Sequence, residues 1–123
     1  MNAGRPRAPR VAVVGPCTSG KTTLVHALRE AGYDARQPAQ EHSYVPDMWQ
    51  RLTQPDVLIY LDVTYEAARQ RREIAWGPER LEAEAGRLAH ARTHCDLYLQ
   101  TAGLTIEQVR ERALAFLAAW KGR

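Results

Sequence analysis

The sequence reads Gly15-Pro16-Cys17-Thr18-Ser19-Gly20-Lys21-Thr22, which matches the pattern G-x-x-x-x-G-K-[ST] at every fixed position. A short buried strand is predicted at 10–14, before the motif, and a helix-spaced pattern at 21–31 predicts a helix after it. The glycines allow the backbone to curl until successive N–H groups face one anion, and the helix adds the positive end of its dipole. The stretch therefore predicts a phosphate-binding loop.

The side chains after the second glycine suit a nucleoside triphosphate with magnesium. Lys21 can reach the β- and γ-phosphates, and the hydroxyl of Thr22 can ligate Mg²⁺. Of the chain's 17 Lys and Arg side chains only Lys21 and Lys121 are lysines, and one of them stands at this motif position. The predicted cofactors are ATP and Mg²⁺. The residues expected to surround the phosphates are Gly15, Pro16, Cys17, Thr18, Ser19, Gly20, Lys21, Thr22 and Thr23.

Predicted strands and helices alternate along the rest of the chain. Strands are expected at 33–37, 56–62 and 96–100, and helices at 46–53, 64–72, from 78 to about 92, and from 105 onward. This alternation predicts one α/β domain over 10–123, a three-layer α/β/α arrangement with a mainly parallel sheet of about four strands. The side chains expected to face the core from the later helices are Met48, Trp49, Leu52, Leu81, Ala85, Leu88, Arg92, Ile106, Val109, Ala113, Phe116, Leu117 and Trp120.

Composition and charge narrow the classes of partner. The net charge is +3, but Arg5, Arg7 and Arg10 precede the first apolar run, which leaves 14 basic and 14 acidic side chains over 11–123. We therefore expect residues 1–9 to be a disordered basic tail and the domain to lack a nucleic-acid face. Apolar runs are too short for a membrane helix, and two cysteines do not make a disulfide framework. The predicted location is cytoplasmic.

Two further features are expected to meet the phosphates. Asp62 ends the strong strand 56–62 and is a candidate Mg²⁺ ligand with Thr22, although it could equally begin a loop and cap the next helix. Arg69, Arg71 and Arg72 lie on that helix, where at least one could close over the γ-phosphate. The alternative is a solvated helix face paired with neighbouring glutamates.

The segment after the second strand supplies another candidate. Glu41 could accept a proton from an acceptor hydroxyl or hold Mg²⁺, and His42 follows it, although both could be ordinary polar loop residues. A metal pair at His90 and His94, with Cys95 next to it, lacks further ligands at convincing spacing. Trp49 and Trp76 stay open as acceptor-site residues.

The chain resembles the small P-loop kinases, which include nucleoside, nucleotide and shikimate kinases. The resemblance rests on the 15–22 motif, the strand 55–63, the arginine-bearing helix and the 95–109 stretch. It implies a P-loop NTPase fold and phosphoryl transfer from ATP to a small acceptor, with Lys21, Glu41, Arg69, Arg71 and Arg72 as the catalytic candidates. It also implies that the loop after the last strand lies beside the adenine, with Thr101, Ala102 and Gly103 forming its wall.

The chain departs from that family in one region. Relatives usually carry acceptor-binding helices and another strand ending in an acid where this chain has only the short segment 39–54. The acceptor is therefore open, and the alternative is an ATP-binding module that hydrolyses slowly or senses nucleotide. ATP is favoured over GTP because Lys121 is followed by Gly122 and Arg123 rather than completing an N-K-x-D motif. The exposed edges of a four-stranded sheet are compatible with a homodimer, and the Arg/Pro tail could recruit another partner.

Overall fold

The structure, a computed structural model, describes residues 8–122. Four parallel strands form one sheet in the order β2-β1-β3-β4, as the alternating pattern predicts. The strands are β1 (Arg10–Val14), β2 (Asp34–Arg36), β3 (Val57–Asp62) and β4 (Leu97–Gln100). The helices are α1 (Lys21–Glu30), α2 (Met48–Thr53), α3 (Tyr65–Arg71), α4 (Pro78–Arg87), α5 (Ala89–His94) and α6 (Ile106–Ala119). Two 3-10 turns, Gln40–His42 and Thr101–Gly103, complete the order.

The sheet is covered on both faces, because side chains along its central strands alternate between two cores. Val11 and Val13 of β1 pack with α1 and α6, whereas Ala12 and Val14 pack with Trp49 of α2 and with α5. Strand β3 divides in the same way and is fully buried apart from Asp62. Parallel strands buried on both faces read as continuous apolar runs, which is why the sequence locates β1 and β3 well.

The predicted N-terminal tail lies mostly outside the described residues. Of the predicted tail 1–9, residues 1–7 lie outside the described residues, while Ala8 is exposed and Pro9 is buried next to β1. Over residues 8–122, no helix has the length and apolar character needed to cross a bilayer.

Side-chain caps mark the starts of two helices, α3 and α6. The hydroxyl of Thr64 accepts the N–H of Ala67 and begins α3, and Thr105 forms the predicted capping box with Gln108 at the start of α6. These bonds join residues three apart in the chain. They form wherever the sequence places the residue types, so the boundaries could be read before the fold was known.

The predicted continuous helix from 78 to 92 is wrong in two respects. Leu88 ends α4 and begins α5, so the segment forms two helices. Of the predicted stripe, Leu88 is buried and Leu81 is half-buried, whereas Ala85 and Arg92 are exposed and Glu84 and Ala91 are buried in their place. The register differs because Glu84 has polar partners inside the protein that stabilise its buried carboxylate.

Two predicted core side chains point outward. Leu52 is 63% exposed, because α2 buries Trp49 and Thr53 instead, and the Thr53 hydroxyl donates to the Trp49 carbonyl at 2.6 Å. Ile106 is 65% exposed at the first turn of α6, where it borders a cavity rather than the core. Trp49 belongs to the core, and its indole N–H donates to His90 Nδ1 at 3.2 Å.

Candidate functional site

The loop of residues 15–20 joins the carboxyl end of β1 to the first turn of α1. Gly15 is pressed against β3: a Cβ at this position would lie 2.1 Å from the carbonyl oxygen of Leu61. Thr18 and Gly20 adopt positive φ angles of 69° and 99°. The loop therefore curls tightly at the edge of the sheet where parallel α/β proteins bind their ligands.

Lys21 reaches back into this loop. Its ammonium donates to the carbonyls of Gly15 at 2.7 Å and Pro16 at 3.1 Å, and it pairs with Glu41 Oε2 at 2.9 Å. The two side chains of the pair are only 10% and 7% exposed. A lysine has three N–H donors, so the three acceptors account for all of them. The structure thus joins two residues that the sequence predicts separately as site residues.

Glu84 of α4 also contacts the loop, and the sequence does not identify it as a site residue. Its Oε1 accepts the backbone N–H of Cys17 at 2.8 Å, and its Oε2 pairs with Arg80 Nε at 3.2 Å. Burial and the neighbouring Glu84 carboxylate raise the pKa of the Cys17 thiol. Glu84 stands three residues after Leu81 and four before Leu88, so its place on an apolar stripe was a usable signal of a buried polar role.

Arg71 links the loop to the segment after β4. Its Nη1 donates to the Thr18 carbonyl at 2.7 Å and its Nη2 to the Thr101 carbonyl at 2.5 Å. Removal from solvent lowers the pKa of this guanidinium. The buried hydroxyl of Thr101 lies 3.2 Å from the Ser19 carbonyl and 2.8 Å from the Asp62 carbonyl. Arg71 and Thr101 therefore connect the loop to α3 and to the ends of β3 and β4.

Two cavities open beside these groups. The smaller, about 260 Å³, is lined by Thr18, Gly20, Lys21, Thr22, Thr23, Arg71 and Arg72. The larger, about 450 Å³, shares Thr18, Gly20, Thr23 and Arg71 with it and extends between α1 and α6. Its remaining lining is Ser19, Leu24, Ala27, Thr101, Leu104, Thr105, Ile106, Val109 and Arg110. A cationic cavity and a mainly apolar one thus adjoin at the loop.

Some predicted site residues make other contacts in this structure or lie outside the two cavities. Asp62 accepts the Tyr98 hydroxyl at 2.6 Å and the Val63 N–H at 2.9 Å, and none of the contacts described for it involves Thr22. The Thr22 hydroxyl instead exchanges hydrogen bonds with the Gln37 amide at 3.2–3.3 Å. Arg69 lies over the Tyr65 ring at 5.8 Å. Ala102 and Gly103 are exposed and line neither cavity, whereas Thr101 lines the larger one.

Unpartnered polar atoms concentrate at this site. Among residues 8–122, the buried side-chain nitrogen and oxygen atoms without a hydrogen-bond partner are Thr18 Oγ1, Ser19 Oγ and Glu41 Oε1. Two belong to the loop and the third to the carboxylate paired with Lys21. Buried polar groups in native proteins are nearly always satisfied, so such a cluster indicates a place for a polar ligand.

Comparison with known proteins adds no relative. No protein-family model matches the chain, and a search of curated proteins gives no match either.

Proposed function

We propose that the chain binds ATP with Mg²⁺ at the 15–20 loop and transfers the terminal phosphoryl group to a small-molecule acceptor. One observation carries the proposal. The curled loop, Lys21 and Arg71 converge at the carboxyl end of the sheet, and the unpartnered buried polar atoms gather at the same place. This is the arrangement expected for a P-loop NTPase of the small kinase type that the sequence resembles.

The charges suit a polyphosphate. Lys21, Arg71 and Arg72 line the smaller cavity, and the first turn of α1 directs free N–H groups toward it. The ammonium of Lys21 is held by two carbonyls and Glu41, and phosphate oxygens would replace some of these acceptors. The larger cavity suits a flat base, because Leu24, Ala27, Leu104 and Val109 supply apolar walls and its volume is typical of ligand pockets.

Phosphoryl transfer needs positioning and charge stabilisation more than covalent chemistry. In this proposal Lys21 neutralises the β- and γ-oxygens and Arg71 or Arg72 the transferred group, while Thr22 contacts Mg²⁺. Glu41 is the candidate base. The contacts of Asp62 with Tyr98 and Val63 favour a structural role at the ends of β3 and β4, so the metal contact assigned to Asp62 from sequence stays a prediction.

A second function is favoured by a separate observation. The sheet has four strands with β2 directly beside β1, and only a 3-10 turn and the short helix α2 lie between β2 and β3. Glu41 is paired with Lys21 and lines neither cavity. This segment is therefore shorter than the acceptor-binding region that the resemblance to small kinases implies. The alternative is an ATP-binding module that hydrolyses slowly or signals nucleotide state.

The test is ADP formation from Mg·ATP by the purified protein, alone and with pooled nucleosides, nucleotides, sugars and hydroxy acids. Stimulation by one pool, with a phosphorylated product, supports the kinase. Binding of ATP with a rate that no pool changes supports the module.

Lys21→Ala is the decisive variant, and Lys121→Ala, at an exposed position near the end of the chain, is its matched control. Loss of a hydrogen bond to a charged group costs about 1.5–3 kcal/mol, so we expect Lys21→Ala to weaken ATP binding roughly 10- to 100-fold. The control is expected to bind normally. Equal ATP affinity in both variants would overturn both candidate functions.

A further inference from the structure

Three side chains of different chemistry meet beside Lys21. Cys17, Glu41 and His42 each offer a ligand atom, namely the thiol sulfur, a carboxylate oxygen and an imidazole nitrogen, and these atoms lie within 4.8 Å of one another. Thiolate, carboxylate and imidazole are the donors that zinc accepts, whereas Mg²⁺ takes oxygen donors. The cluster therefore differs in chemistry from the Mg²⁺ contact proposed at Thr22.

One oxygen of the Glu41 carboxylate has no hydrogen-bond partner. Its Oε2 pairs with Lys21 at 2.9 Å, whereas its Oε1 is buried without a hydrogen-bond partner. The side chain is only 7% exposed, so it is held in place next to Cys17 and His42. His42 Nε2 lies 3.9 Å from Oε2 of the same carboxylate. A buried, unpartnered carboxylate oxygen on a side chain that belongs to a group of metal-type donors is an independent indication of a ligand there.

The other two donors are less enclosed than Glu41, although the Cys17 thiol hydrogen-bonds Glu84 and lies 4.0 Å from Arg80 Nη2. The His42 side chain is 55% exposed and Cys17 is half-buried. Zinc bonds of about 2.0–2.3 Å place neighbouring ligand atoms roughly 3.5 Å apart, so the widest separation in the cluster must shorten by at most about 1.3 Å. Rotation of the Cys17 and His42 side chains toward a fixed Glu41 can supply that movement.

We propose that Cys17, Glu41 and His42 form a three-ligand site for a zinc-type divalent cation. The cation binds the Cys17 thiolate, Glu41 Oε1 and an imidazole nitrogen of His42, and the thiol proton passes to solvent. A fourth position stays open to water. The proposed cation site is coupled to the phosphate-binding region, because Cys17 belongs to the 15–20 loop and Glu41 also pairs with Lys21. The site requires only the folded chain and does not depend on ATP binding.

The histidine pair of α5 is a weaker candidate. The rings of His90 and His94 stack at 4.1 Å, but His94 Nδ1 is 2.8 Å from the His90 carbonyl and Cys95 donates to the Arg92 carbonyl. Among residues 8–122, this pair does not join a third His, Cys, Asp or Glu in a metal-sized group. Cys95 and His94 therefore serve as matched controls for Cys17 and His42.

The experiment is a titration of the nucleotide-free protein with Co²⁺, followed by the thiolate-to-cobalt charge-transfer absorption and then by displacement with Zn²⁺. We expect one bound ion per chain and an absorption that Cys17→Ser abolishes. His42→Ala is expected to weaken binding at least about tenfold, the lower end of what loss of a supporting metal contact costs. Cys95→Ser and His94→Ala are expected to bind like the unaltered chain, and circular dichroism checks that each variant folds.

Absence of the charge-transfer band in the unaltered chain overturns the inference. So does a band that survives Cys17→Ser or disappears in Cys95→Ser. If Cys17→Ser does not fold, His42→Ala, at an exposed position, is the test, and unchanged cobalt affinity in this variant overturns the inference. The readout contains no nucleotide, so the two proposals can fail separately. Binding of cobalt without binding of ATP supports the metal site and refutes the proposed function. Binding of ATP without binding of cobalt supports the proposed function and refutes the metal site.

Discussion

Replacement of Gly15 by alanine should destabilise the protein strongly, because this residue is in contact with the backbone of β3. The added Cβ would lie 2.1 Å from the Leu61 carbonyl oxygen and 2.8 Å from Ser19 Oγ. Contacts under 3.0 Å do not occur for real Cβ atoms, so the loop or the strand must move by about 0.9 Å. Leu61 lies inside β3, where it is paired with Leu99 of β4.

The size of the effect follows from these contacts. Overpacking of a rigid core costs about 1–3 kcal/mol, and a weakened ladder hydrogen bond adds about 1 kcal/mol. We expect a loss of about 3 kcal/mol from the free energy of unfolding, which is a large part of the roughly 5–15 kcal/mol of a typical domain. With a urea m-value of about 2 kcal/mol/M, the unfolding midpoint falls by about 1.5 M.

Two other glycines provide controls in the same urea-unfolding assay. A Cβ at Gly103 or Gly86 meets no atom within 4 Å. We expect Gly103→Ala to change the free energy of unfolding by less than about 0.5 kcal/mol. Gly86→Ala, inside α4, should stabilise the protein by about 0.5–1 kcal/mol because alanine favours the helix. A midpoint for Gly15→Ala within about 0.3 M of the unaltered protein, at unchanged m-value, would refute the close-contact reasoning.

Three further predictions concern the helix cap, the bridging arginine and alkaline pH. Thr105→Ala removes the capping hydroxyl of α6 and should cost about 1 kcal/mol in urea unfolding, and an unchanged midpoint would contradict this. Arg71→Lys cannot span the carbonyls of Thr18 and Thr101, so calorimetry should show ATP binding weakened about tenfold, whereas equal affinity would argue against the bridge. Burial raises the pKa of Tyr60, so the folded state keeps a proton that the unfolded chain loses. Tyr60 should lower the free energy of unfolding by about 1.4 kcal/mol per pH unit above about pH 10. The pKa values of Tyr98, Cys17 and Cys95 are also raised, so Tyr60→Phe should make the decline shallower by the share of Tyr60, and an unchanged slope would contradict the assignment.

The sequence predicts the fold well wherever short-range physics decides. Strands β1 and β3 are continuous apolar runs, and α6 begins at a capping box whose two members are three residues apart. The four-stranded parallel sheet follows from the alternation of these elements. The sequence predicts less well where an element's inward face depends on a distant polar partner, as the register of α4 shows.

The sequence likewise predicts some features of the candidate site and not others. The loop and Lys21 could be identified because their residues are neighbours in the chain and their pattern is specific. The sequence could not show which of the three candidate arginines contacts the loop. Arg71 does so through partners, Thr18 and Thr101, that are 53 and 30 residues away in the chain. The sequence leaves Asp62 open between a Mg²⁺ ligand and a residue that begins a loop. Its hydrogen bond from the Tyr98 hydroxyl could not be foreseen, because only the pairing of β3 with β4 brings the two residues together.

By itself, the sequence determined the order and type of the elements and the presence of a curled, glycine-bounded loop before α1. These depend on backbone preferences and on hydrogen bonds within a few residues. Only the tertiary structure decided that Glu84 holds the Cys17 N–H, 67 residues away, and that Glu41 is buried against Lys21 with one oxygen unpartnered. A buried carboxylate is stable only where the fold supplies donors, and those donors come from other elements that pack against it.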